Sequence, residues 1–220
     1  GTWGTISDGS PIAWLDNDLK VYRRNTNFTG LFGIDYKIFD GLTAKLSASY
    51  VNNNQNYDYF QKFFVYNENK TDPNFHQEQV SKWERKTSEA LLNYNKTFGQ
   101  HTVGALAGWH AEAFDSKYWY TYRKNFPNNS VTDINAGDVS TQQAQGNTRE
   151  LNMLSWFGRV NYDFAGRYLF EANLRADASS RFADGHRWGY FPSFSAGWRV
   201  SEEAFMEGTK SWLSNLKIRG

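Results

Sequence analysis

Cysteine is absent from this 220-residue chain, which excludes a disulfide scaffold, a thiolate metal site and a thiol nucleophile. Long apolar runs are absent too. None approaches the roughly 18 residues of a spanning helix, so any membrane role must fall to strands. Charge of one sign is also missing: 24 basic and 23 acidic residues leave a net +1 with both signs interspersed. A nucleic-acid binder would carry a basic stripe, so nucleic acid is not an expected partner. Histidine is sparse. His76, His101, His110 and His186 are scattered with no pair at metal-ligand spacing, and we expect neither metal nor cofactor. No glycine-rich phosphate loop and no serine nucleophile elbow occurs. Asp133 to Asp138 is similar to a calcium loop, but Ala144 stands where the bidentate Glu belongs, so we read an ordinary turn.

Aromatic rings are abundant instead: nine Trp, thirteen Tyr and seventeen Phe, 18% of the chain. The mean hydropathy is nonetheless −0.72. Rings on a polar background suit a thin apolar band with two wet boundaries. They also suit an aromatic-rich soluble β domain, and composition alone admits both.

Alternation with period two recurs in seven segments and predicts an all-β, antiparallel fold. Phe28, Gly30, Phe32, Ile34, Tyr36 and Ile38 share one face of the first segment, and Leu42, Ala44, Leu46, Ala48 and Tyr50 that of the second. The third, from about Ser88 to Phe98, sets Ala90, Leu92, Tyr94 and Phe98 to one side. Its start is ambiguous, because Ser81-Lys82-Trp83-Glu84 also fits a capping box opening a helix. The fourth sets Val103, Ala105, Ala107, Trp109 and Ala111 together, and the fifth Leu154, Trp156, Gly158, Val160, Tyr162 and Phe164. Tyr168, Phe170, Ala172, Leu174 and Ala176 form the apolar side of the sixth; Tyr190, Phe194, Ala196, Trp198 and Val200 form that of the seventh. Leu91 and Leu106 break the pattern.

Connections alternate in length. Turns near Asp40, Gly99 and Gly166 are short, whereas about Val51 to Thr87, about Phe114 to Leu151, and Ala178 to Gly189 are long and polar. That asymmetry is the one found in bacterial outer-membrane barrels. Ser201-Glu202-Glu203 reads as an N-cap with acids in a first helical turn, before an eighth strand from about Leu216. With the short turns at the bottom, Tyr36, Tyr94, Tyr162, Tyr168 and Trp198 fall near the lower end of the apolar face. Phe28, Tyr50, Trp109, Trp156 and Tyr190 fall near its upper end. Eight residues span roughly 26 Å of strand, or about 20 Å of height at a tilt of about 40°, close to the apolar band of a transmembrane barrel. These ten rings are therefore expected at the lipid interfaces. A soluble sheet would not segregate them to two ends.

On the polar faces, Arg159, Glu171, Arg175, Asp177 and Arg199 read as a solvated, charged lumen wall with cross-strand ion pairs rather than as paired catalytic carboxylates. No enzyme activity is expected. The long stretches carry the candidates for ligand contact: Tyr57 and Tyr59 in one, and Tyr118, Trp119, Tyr120 and Tyr122 in another. Rings beside amides and hydroxyls suit sugar or peptide ligands, and they also suit loops that merely pack on themselves or meet a partner protein.

A resemblance adds to this reading. It is carried by Ser155-Trp156-Phe157-Gly158-Arg159-Val160-Asn161-Tyr162, Tyr168-Leu169 and Ser179-Ser180-Arg181-Phe182. Arg187-Trp188-Gly189-Tyr190-Phe191-Pro192-Ser193, Gly197-Trp198-Arg199-Val200-Ser201-Glu202-Glu203 and Leu213-Ser214-Asn215-Leu216-Lys217-Ile218-Arg219 continue it. Upstream, Ala90 to Phe98 and Leu106-Ala107-Gly108-Trp109 join the match. These segments strongly resemble the SusC/RagA family of TonB-dependent outer-membrane transporters of Bacteroidetes. Ala178 stands where the family pattern has Gly, and Trp109 and Trp156 stand where Tyr is commoner. The resemblance implies a plugged barrel of roughly 22 strands in the outer membrane, of which residues 1–220 would supply about a third. It also implies a SusD-like surface lipoprotein as lid, TonB as the energy-coupling partner, and an oligosaccharide or peptide as cargo. The matched motifs are barrel wall and do not choose the cargo. The chain opens on Gly1-Thr2-Trp3 and closes on a strand-like Leu216 to Gly220, so we expect an internal segment of something longer. A complete eight-stranded outer-membrane barrel and a soluble carbohydrate-binding β domain are the alternative readings.

Overall fold

The computed structural model describes residues 11–17, 21–66 and 69–220. A short helix, α1 (Pro11–Asp16), precedes ten strands: β1 (Val21–Phe39), β2 (Leu42–Gln61), β3 (Phe64–Tyr66), β4 (Asn69–Thr71) and β5 (Phe75–Phe98) come first. After them run β6 (His101–Lys124), β7 (Gln143–Phe164), β8 (Tyr168–Ser179), β9 (Trp188–Arg199) and β10 (Lys217–Arg219). Eight strands form one sheet in the order β1-β2-β5-β6-β7-β8-β9-β10, with β3 and β4 as a separate small hairpin. Among the described residues the sheet is open: β1 and β10 are its ends, where a closed eight-stranded barrel requires them to pair.

Apart from the β3–β4 hairpin between β2 and β5, sequence neighbours pair throughout the long sheet. The β7–β8 ladder holds Gly158 opposite Leu174 and Val160 opposite Ala172. The β8–β9 ladder holds Ala172 opposite Phe194 and Leu174 opposite Pro192. Apolar residues therefore meet across strands on one face, and Asn173 meets Arg159 and Ser193 on the other. Short turns join β1 to β2, β5 to β6 and β7 to β8, so all three lie at the same end of the meander. Gly41 turns the first with φ +92°, and a Cβ there would stand 2.7 Å from the Asn95 carbonyl oxygen, which only glycine avoids.

The strands are longer than the sequence pattern predicts. The capping box at Ser81 opens no helix: β5 runs unbroken from Phe75 through it. The expected loop from Val51 to Thr87 is largely the upper halves of β2 and β5, and that from Phe114 to Leu151 is largely β6 and β7. The connections between the long strands shrink to 62–74, which carries the β3–β4 hairpin, 125–142 and 180–187. Backbone pairing continues there although polar residues interrupt the apolar alternation. Tyr57 and Tyr59 therefore lie in β2, and Tyr118, Trp119, Tyr120 and Tyr122 in β6, not in loops.

The chain divides into two compact units. One holds residues 29–50, 85–114 and 151–220; the other holds those up to 28, 51–84 and 115–150. Strands β1, β2, β5, β6 and β7 contribute to both.

In the first unit, the Leu91 exception to alternation acquires a reason. Leu91 lies against Gly108, and so does the Phe157 ring. A Cβ on Gly108 would stand 2.3 Å from the Phe157 ring and 2.9 Å from the Leu91 side chain. Glycine here lets a large ring lie flat on a neighbouring strand.

At the short-turn end, Glu203 gathers three donors. Tyr168 Oη donates to it at 2.7 Å, Trp198 Nε1 at 3.0 Å and Arg167 Nη1 at 2.9 Å. Tyr168 and Trp198 stack with their planes 10° apart. Arg199 N–H donates to the Arg167 carbonyl and its guanidinium to that of Gly166. The helical reading of this segment holds as two 3₁₀ turns, Val200–Glu202 and Ala204–Thr209. Ser201 is not their cap: it is buried at 2% exposure, and neither turn has a side-chain cap. The Tyr168 hydroxyl, the Trp198 indole and the Arg167 guanidinium hold the Glu203 carboxyl below its ordinary range.

Two outcomes follow for the full-length protein. Gly108→Val forces the Phe157 ring off its strand, at a cost of about 1–3 kcal/mol; it lowers the heat-resistant fraction on a gel, and Phe157→Ala in the same chain restores it. A carboxyl held low contributes stability above its unfolded pKa and loses it as pH falls through the folded value. Glu203→Gln therefore lowers the melting temperature at neutral pH. The difference from the parent protein closes on acidification below the usual carboxylate range.

Candidate functional site

The second unit brings several of the singled-out rings together. Alternation along β2 puts Tyr57 and Tyr59 on one face, and along β6 it puts Tyr118, Tyr120 and Tyr122 on one face. Phe75 of β5 joins the two sets. Its ring is 5.5 Å from Tyr59, edge-on at 81°, and 5.4 Å from Tyr122. Tyr120 and Tyr122 stack at 6.4 Å with planes 10° apart. Cations border the row: the Arg23 guanidinium lies 5.5 Å above the Tyr57 ring, and the Lys124 ammonium 5.9 Å from Tyr122. Amides continue it, with Asn53 donating to Asn25 at 2.9 Å and also to Asn27. The result is a half-buried row of rings crossing three paired strands, edged by cations and amides. Trp119 has the opposite parity, faces away from the row, and stands under Lys82 at 5.3 Å. Phe75 was not singled out from sequence, because its segment reads as loop; period two through Phe75, Gln77 and Gln79 was the available signal.

The opposite face of the same strands holds a small core of Phe60, Phe64, Phe126 and His76. Phe60 meets Phe126 at 5.2 Å and His76 at 5.8 Å, both nearly edge-on. Paired amide bonds fasten the connections over it. Asn74 donates to the Phe126 carbonyl at 3.2 Å and accepts from its N–H at 2.7 Å. Asn129 does the same with Phe63, at 2.6 and 2.8 Å. Asp138 closes the 125–142 connection by accepting from the Ser140 hydroxyl and N–H and from Asn125, which keeps its carboxyl below the ordinary range. The turn expected at Asp133 to Asp138 is thus a turn, continuing into 3₁₀ segments.

In the first unit, the charged wall differs in detail from its sequence reading. Arg175 forms its ion pair within β8, donating to Asp177 at 2.7 Å, and reaches across to Ser155 at 3.0 Å while lying over the Phe157 ring. Glu171 accepts from Asn173, also within β8. Arg199 leaves the wall for the Gly166 turn, and Arg159 lies opposite Asn173. Cross-strand pairs do occur on other residues: Arg85 with Glu112 at 3.5 Å and His110 with Glu89 at 3.6 Å. Same-face neighbours two apart on one strand reach each other as readily as cross-strand ones, and the sequence pattern does not separate the two geometries.

Of the ten rings expected at the lipid interfaces, Trp109 and Trp156 come together at 6.4 Å, as do Tyr168 and Trp198; Tyr162 stacks on Phe170 and bonds His101 at 2.7 Å. Phe28, Tyr36 and Tyr190 are exposed. Tyr50 sits in β2 and Tyr94 in β5, the latter beside Gly41.

Comparison with known proteins agrees with this architecture. The family described as TonB dependent receptor-like, beta-barrel matches residues 2–214. TonB-dependent receptor P39 of Formosa agariphila is 32% identical over 194 residues, covering 84% of this chain and 18% of the relative. TonB-dependent receptor SusC of Bacteroides thetaiotaomicron is 28% identical, covering 97% of this chain and 21% of the relative. The chain therefore spans about a fifth of the length of these relatives. Among solved structures, the RagAB peptide importer in its open-open state superposes with a TM-score of 0.82 at 19% identity, over 94% of this chain and 23% of that one. The antiparallel strand arrangement is thus shared with that structure. The chain belongs to the TonB-dependent receptor β-barrel family, and its strands are those of an outer-membrane barrel.

Proposed function

We propose that these residues form part of the wall and cargo-facing rim of an active importer for a large nutrient, energised through TonB and lidded by a SusD-like lipoprotein. The observation that carries the proposal is the family match along nearly the whole chain, on an antiparallel sheet with one apolar and one charged face. In this reading the apolar face, with Ala172 and Leu174, meets lipid. The face with Glu171, Asn173 and Arg175 lines the lumen. The ten girdle rings sit at the two interfaces of the bilayer. The wall carries no reaction; its residues hold shape, exclude lipid and present a polar inner surface.

The row formed by Tyr57, Tyr59, Phe75, Tyr120 and Tyr122 is the proposed contact for cargo. Its rings give broad, rigid contact area at low entropic cost, and hydroxyls at their edges accept and donate. Sugars and peptides both offer what such a surface binds, apolar C–H faces beside hydrogen-bonding groups. The name of the RagAB peptide importer favours the peptide class, and that of SusC marks the same architecture without specifying a cargo.

Replacing Tyr59, Tyr120 and Tyr122 together by Ser in the full-length transporter is expected to lower uptake at least tenfold while leaving outer-membrane abundance unchanged. Trp119→Ser, on the other face of the same strand, leaves uptake near the parental rate. Equal uptake by the triple variant and the parent would return the row to a packing role.

A further inference from the structure

The buried histidine of the second unit points at two carboxylates. Asp58 Oδ2 lies 3.2 Å from His76 Nε2, and Glu78 Oε1 lies 3.8 Å from the same nitrogen. The three ligand atoms lie within 4.8 Å of one another. Asp58 belongs to β2, and His76 and Glu78 to β5, where residues two apart share a face. From sequence the segment reads as loop, and in a loop this spacing carries no geometric meaning. One histidine takes part, and the other donors come from carboxylates.

His76 is held there by packing. Its side chain is 5% exposed and lies edge-on against Phe60 and Phe126. Its Nδ1 is buried with no hydrogen-bond partner, so the ring has one polar direction, toward the two carboxylates. Among the described residues neither carboxylate has a Lys or Arg within ion-pairing distance, and both are about half exposed. Two acids thus converge on a fixed imidazole nitrogen, with their mutual repulsion unrelieved by any permanent cation.

We propose that Asp58, His76 and Glu78 bind a divalent transition-metal ion of the zinc or manganese kind, which ties β2 to β5 at the base of the 62–74 connection. The spacing fits: even in the widest case, an ion equidistant from the three atoms sits roughly 2.4 Å from each, and small side-chain rotations bring that to metal–ligand bond length. One imidazole with two carboxylates suits zinc and manganese better than calcium, which takes oxygen ligands alone. The half-exposed side leaves room for water to complete the coordination shell. The ion replaces repulsion between the acids by attraction to a common centre, so its role is structural. The site lies on the face opposite the ring row and is independent of cargo binding.

The test uses the full-length transporter, purified without a polyhistidine tag, stripped with chelator and titrated with zinc and manganese chlorides. Bound metal is counted by elemental analysis after dialysis. The parent protein is expected to retain one equivalent more than Glu78→Gln and than His76→Gln. Glu78→Gln alters only a half-exposed side chain and keeps the fold, and it should weaken binding at least tenfold. Equal stoichiometry and affinity in parent and Glu78→Gln would overturn the proposal and leave the cluster a simple histidine–carboxylate pair.

Discussion

Every backbone N–H and C=O that passes through hydrocarbon must find a partner within the protein, because an unsatisfied group there costs several kcal/mol. This constraint organises the chain. It demands a continuous antiparallel ladder, and consecutive strands from β1 to β9 supply one, each beside its sequence neighbours apart from the β3–β4 hairpin. Once the ladder exists, alternation does the rest. Each residue falls on one of two faces, and a one-residue slip would exchange them. The register that sets Val160 opposite Ala172 and Arg159 opposite Asn173 is therefore the register that separates an apolar face from a charged one.

The same ladder explains the extended upper strands. Beyond the alternating segments, pairing continues although the apolar alternation ends. There the two faces are free to diverge. One carries the ring row from Tyr57 to Tyr122; the other carries the Phe60, His76 and Phe126 core beneath connections fastened by Asn74 and Asn129. At the short-turn end the problem is the reverse, since the chain must reverse tightly. Gly41 supplies a positive φ, and Glu203 collects Tyr168, Trp198 and Arg167 into one knot.

Much of this was legible in the residues. Six of the seven alternating segments lie within a strand and the seventh does so up to Arg199, with Val200 already in a 3₁₀ turn; the turns at Asp40, Gly99 and Gly166 stand where β1–β2, β5–β6 and β7–β8 reverse. What escaped was structure without a hydrophobic signature. The upper halves of β2, β5, β6 and β7 read as loops because polar residues interrupt the apolar alternation on both faces, and so Tyr120 and Tyr122 were placed on the wrong kind of backbone. Leu91 looked like an error in the pattern until Gly108 and Phe157 showed that the polar face has an apolar spot of its own. His76 escaped because its partners depend on pairing between β2 and β5, which linear spacing does not display.

In the proposed orientation the face bearing Ala172 meets lipid and the face bearing Asn173 meets the aqueous lumen. The chain itself has no cysteine, so single cysteines can report directly on β8. In the full-length protein in intact outer membranes, on a cysteine-free background, Phe170, Glu171, Ala172, Asn173 and Leu174 would each be replaced in turn by Cys and exposed to a water-soluble maleimide. The account predicts labelling with period two, fast at 171 and 173 and slow at 170, 172 and 174. Uniform labelling, or the inverse alternation, would contradict it.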